Sequence, residues 1–145
     1  ALKRAIRFAS AKTPIHENYV GGPAALDEWA NVLENLPEQK QNYMGNSYVG
    51  ACVCEGRNMC AQFLSRLSKK YHGKKQSNHL RKAAECYEKG WGFLKEFICI
   101  FPFKHQGDMK LEQRKKGAET LRKVKPFEEE AIEHMKKAIA EWETA

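Results

Sequence analysis

Apolar residues recur at steps of three and four along most of the chain, the spacing of one helix face, and no stretch alternates with the period of two that a half-buried strand requires. Leu2, Ala5, Ile6 and Ala9 begin the pattern with no capping residue before them, which predicts a helix entered in mid-pattern, as in a fragment or a processed chain. A connector punctuated by Pro14 and the pair Gly21 and Gly22 follows. Leu26, Trp29, Ala30 and Leu33 then predict a short helix with Trp29 turned to the core. Pro23 suits its first turn, where the missing N–H costs nothing, and Leu36–Pro37 ends it.

Residues 37–47 are polar and predict a loop. Three long segments come next. Over 48–71, Val49, Cys52, Val53, Gly56, Met59, Cys60, Phe63, Leu64 and Leu67 mark the expected buried face, with Gly50 and Gly56 as points of close approach for a neighbouring helix. Over 78–101, opened by Ser77 or Asn78, the face is carried by Leu80, Ala83, Ala84, Tyr87, Trp91, Leu94, Phe97 and Ile98, and Pro102 stops it. Over 109–143, opened by Asp108, Leu111, Ala118, Leu121 and Val124 are followed by Pro126 and then by Phe127, Ala131, Ile132, Met135, Ala138, Ile139 and Trp142. Pro126 followed by Glu128, Glu129 and Glu130 suits either a kink or the start of a new helix. The pattern as a whole predicts an all-α, antiparallel bundle of about five helices, formed as one domain over 1–145.

Composition adds class and compartment. Of 145 residues, 42% are hydrophobic and 30% charged, a balance suited to a packed core. The longest apolar run, Phe97 to Phe103, is broken by Pro102 and falls far short of the roughly 20 residues of a membrane span. An odd count of five cysteines, several within helical patterns, predicts reduced thiols in a cytoplasmic protein. The net charge of +7 is uneven. Residues 1–60 are neutral, residues 61–125 carry +11 and residues 126–145 carry −4.

Candidate chemistry is sparse. The five histidines offer one i, i+4 pair with a carboxylate, Glu130 and His134, and no repeat of it on another helix, so no metal site or cofactor is predicted. Cys52 and Cys54 would point about 200° apart on a helix, which denies them a shared tetrahedral site; Cys52 and Cys60 read as core, and Cys54 as the exposed, reactive thiol. Arg66, Lys69, Lys70, Lys74, Lys75, Arg81 and Lys82 gather without an acid between residues 66 and 82, a turn suited to phosphates of nucleic acid but lacking an aromatic stacking platform. Trp29, Tyr48 and Trp91 could line a ligand pocket within the bundle.

Ala5-Ile6-Arg7-Phe8-Ala9, the connector ending Tyr19-Val20-Gly21-Gly22, and Ala24-Ala25-Leu26-Asp27-Glu28-Trp29 together resemble the region that follows the papain-like domain in butirosin-biosynthesis-H-like proteins of bacteria and archaea, which are similar to bacteriocin-processing cysteine peptidases. The resemblance implies that the catalytic cysteine and histidine lie upstream of Ala1, and none of the five cysteines matches their motif. The expectation is a non-catalytic accessory or interaction domain of a larger cytoplasmic protein, packing on a catalytic part or self-associating. A nucleic-acid-associated protein using residues 66–82 ranks second, and a small-ligand binder or enzyme with a site inside the bundle third.

Overall fold

The computed structural model describes residues 2–10, 20–103 and 109–144. Helix α1 (Leu2–Ala9) and helix α2 (Pro23–Asn35) lead through a single 3-10 turn at Glu38–Lys40 into α3 (Tyr43–Lys70), α4 (Lys75–Ile100) and α5 (Leu111–Glu143). No strand occurs among the described residues, and none of their helices is long and apolar enough to cross a membrane.

The helices form an up-down bundle whose first arm is broken in two. Arg122 pairs with Glu34 and Lys125 with Asp27, so α2 runs antiparallel to the first half of α5. Lys3 pairs with Glu143, and Ala9 shares a cavity wall with Glu129 and Ile132, so α1 runs antiparallel to its second half. Gly22 makes the joint between them. Its φ of +64° suits glycine, and a Cβ there would fall 2.0 Å from the Ala9 carbonyl oxygen. Ser68 and Ser77 exchange hydrogen bonds across the α3–α4 turn at 2.9 and 3.0 Å.

Close packing runs from α3 to α4, from α4 to α5, and from α5 to α2. Gly117 lets α4 come close, since a Cβ there would meet the Phe101 ring at 2.6 Å. Arg114 is buried and closes the end of α2: its Nη1 donates to the Leu33 and Leu36 carbonyls, each at 2.9 Å, and its Nε to the Met109 carbonyl at 2.8 Å. Gln41 donates to the Val32 and Leu36 carbonyls as well. At Leu33 and Leu36 these donors satisfy carbonyls that the end of α2 leaves without helical partners.

Several boundaries differ from the sequence expectation. The polar stretch 43–47 is helical, because Asn42 caps α3 by accepting from the Gly45 N–H at 2.7 Å. Helix α4 begins at Lys75, before Ser77 and Asn78, and Ser77 uses its hydroxyl on Ser68 instead of as a cap. Asp108 lies outside the described residues, and α5 begins at Leu111. Of the two readings of Pro126, a break is excluded: α5 continues through it as one helix, with Val124 and Glu128 buried on either side.

The buried face of α3 is the main correction. Ser47, Gly50, Cys54, Ala61, Leu64 and Ser68 face inward; Leu64 was expected there, and the others lie one residue and therefore about 100° around from the expected stripe. Cys54 is buried at 6% exposure, Cys60 is half-buried and Cys52 is exposed, which reverses the expected roles of Cys52 and Cys54. Small side chains permit close approach, and the Phe97 ring of α4 lies where a Cβ on Gly50 would be, 2.9 Å away. Gly56, expected to serve the same end, has nothing within 4 Å.

Candidate functional site

Between α3 and the α1–α2 arm the fourth side of the bundle stays open as a groove. One wall is the displaced apolar stripe of α3, including Val49, Val53, Cys60 and Phe63. The other is α2 through Leu26, Trp29 and Val32, then α1 through Leu2, Ala5 and Phe8. The groove holds two cavities, of about 500 Å³ along α2 and about 390 Å³ along α1. Gly22 and Arg57 line both, so the joint in the arm stands opposite Arg57.

Arg57 forms a two-pronged ion pair with Glu128 of α5. Nε donates to Oε1, and Nη2 donates to Oε2 at 3.0 Å. The Glu128 carboxylate is nearly fully buried, with a side-chain exposure of 4%. Burial works against the guanidinium charge, but the hydrogen bonds and charge of Glu128 outweigh it and raise the Arg57 pKa. The pair divides the interior. On one side lies a cluster with Cys54, Leu94, Phe97 and Val124, on the other a cluster with Ala61, Leu64, Tyr87 and Ala131. Burial, with Glu128 second, raises the Tyr87 phenol, and burial raises the Cys60 thiol.

This arrangement has the parts of a binding site: apolar walls and a few placed polar groups at the centre. Arg57 spends Nε and Nη2 on Glu128, so Nη1 is the nitrogen left to meet an acceptor. Cys60 lines the same cavity, but burial raises its pKa, and among the described residues no histidine lines the cavity with it.

The residues expected to form a ligand pocket are not brought together. Trp29 lines the α2 cavity, half-buried, with its indole N–H donating to Asn46 Oδ1 at 2.6 Å and its ring edge-on to Phe97 at 4.8 Å. Tyr48 points away from the groove, 62% exposed, with its ring 6.4 Å from that of Phe103. Trp91 is half-buried on α4 beneath Lys95, whose Nζ lies 4.1 Å from the ring centroid. Sequence reasoning missed Arg57 and Glu128 because they lie 71 residues apart and each reads as an ordinary surface charge.

The basic residues Arg66, Lys69, Lys70, Lys74, Lys75, Arg81 and Lys82 are all exposed at the α3–α4 end. Lys69, Lys74 and Arg81 border a shallow cavity of about 430 Å³. Arg81 is engaged by Glu85, and Tyr71 is packed edge-on against Trp142, 5.1 Å between ring centroids. His16 and His105 lie outside the described residues. Among the described residues no group of three or more His, Cys, Asp or Glu side chains is placed to hold a metal ion. Fold and groove together define a helical bundle with an open side. Compared with known proteins, the chain matches no family model, no curated protein and no solved structure.

Proposed function

We propose that this chain is a non-catalytic helical interaction domain that seats an apolar surface of a partner protein domain along the groove between α3 and the α1–α2 arm. The observation that carries this reading is the outward apolar loading of α3. Val49 and Phe63 are substantially exposed on the groove wall of α3, with Phe8 exposed across the groove. Exposed apolar surface gathered along one groove marks interaction sites. The resemblance to the helical region that follows a papain-like domain supplies the partner: the catalytic domain of a larger protein, against which this bundle packs.

Hydrogen exchange tests it. A papain-like domain of the butirosin-biosynthesis-H-like type, supplied as a separate chain or fused upstream, slows amide exchange in Val49–Phe63 and Leu2–Ala9, and Phe63→Asp abolishes the slowing. Unchanged exchange in both segments contradicts the proposal.

The seven exposed cations at the other end favour a second reading, loose binding of a polyanion. It rests on charge alone, since the bundle offers no stacking aromatic there. Weak binding of nonspecific DNA at low salt, lost on neutralising Lys69, Lys70, Lys74 and Lys75, supports it; no binding at low salt removes it.

A further inference from the structure

His79, on the second turn of α4, meets His134 of α5 across the interface of the two helices. Their Nδ1 atoms lie 3.4 Å apart, with the ring planes 31° from parallel. Two imidazole nitrogens bound at about 2.0–2.1 Å to one tetrahedral metal stand about 3.3–3.4 Å from each other, so this gap matches the bite of a single ion. On the other side of its ring, His134 Nε2 lies 3.6 Å from Glu130 Oε1, one turn back on the same helix. His134 is mostly covered, with a side-chain exposure of 13%. Burial first, and His79 second, lower its pKa below the ordinary histidine value.

From this geometry we propose that His79 and His134 form a two-histidine site for a divalent transition metal that takes tetrahedral coordination, zinc first, clamping α4 to α5. Imidazole nitrogen suits zinc. Glu130 adds a negative charge 3.6 Å from His134 Nε2, beyond hydrogen-bond reach, and is not a ligand. The remaining positions go to water, which makes the site weaker than a closed site of four protein donors. Lys82 and Lys137 lie close enough to oppose a bound cation and lower its affinity further.

The test is titration of the full chain with Zn2+ by calorimetry, together with the electronic absorption of the Co2+-loaded protein, Co2+ being a tetrahedral stand-in for zinc. The site binds one equivalent, and the Co2+ spectrum shows tetrahedral d–d bands and no thiolate charge-transfer band. His79→Gln and His134→Gln each weaken binding at least tenfold. Should His134→Gln fail to fold, the half-exposed His79→Gln and the wild-type spectrum decide the matter. Absence of binding, affinity kept by the histidine variants, or a thiolate signature from the exposed Cys52 or Cys99 overturns the proposal.

Discussion

Helix α3 has two long faces built from opposite kinds of residue. Toward α4 it presents Ser47, Gly50, Cys54, Ala61 and Ser68, and there the two helices close until Phe97 rests against the Gly50 backbone. Toward the groove it presents Val49, Val53, Cys60 and Phe63, larger side chains that the arm covers only in part. A face that must meet another helix closely selects for small residues, whereas one left open keeps its larger side chains available. Apart from the buried Leu64, size along α3 therefore runs opposite to burial, and the polar pair Arg57–Glu128 sits where the two faces meet.

The largest effect expected from breaking this arrangement is at that pair. Arg57→Met strands the buried Glu128 carboxylate and costs about 3–5 kcal/mol in denaturant unfolding, while Arg57→Met with Glu128→Met recovers most of the loss. A double variant as unstable as the single would show that the pair is not the coupled unit described. Next comes the closed interior: Gly117→Ala drives a Cβ into the Phe101 ring and costs about 1–3 kcal/mol by thermal or chemical unfolding. On the open face, Val49→Ala and Phe63→Ala change stability by no more than about 0.5 kcal/mol, a contrast of several-fold with Gly117→Ala. Equal losses at both kinds of position would erase the distinction between the faces.

A smaller effect concerns pH. The folded His134 pKa is lowered, so below about 6.5 the unfolded chain binds the proton more readily, and stability falls as pH drops through the lowered folded value. With metal chelated, the melting temperature of the wild type drops more between about pH 7.5 and pH 5.5 than that of His134→Gln. Identical slopes would rule out His134 as the source.

The helices and the joint were legible in the sequence because they rest on local rules. The apolar periods gave α4 and α5, and Pro23 beside paired glycines located the start of α2, with Gly22 taking the positive φ. The register of α3 was not legible, because periodicity was weighted by side-chain size and the large residues form a regular stripe of their own. Nor were the site residues. Arg57 with Glu128, His79 with His134, and Arg114 with Leu33 become partners only when helices 55 to 81 residues apart are brought together, and no spacing within one helix announces them.

The orientation of α3 carries the whole account of the groove, and its cysteines report it. Graded alkylation of the folded protein, followed by mass mapping, should label Cys52 and Cys99 first, the half-buried Cys60 more slowly, and Cys54 and Cys86 last. Burial covers these last two thiols and raises the pKa of both, that of Cys86 to about 11. Cys54 reacting ahead of Cys60 would contradict the account, since it would turn the large residues of α3 into the bundle and leave no open side.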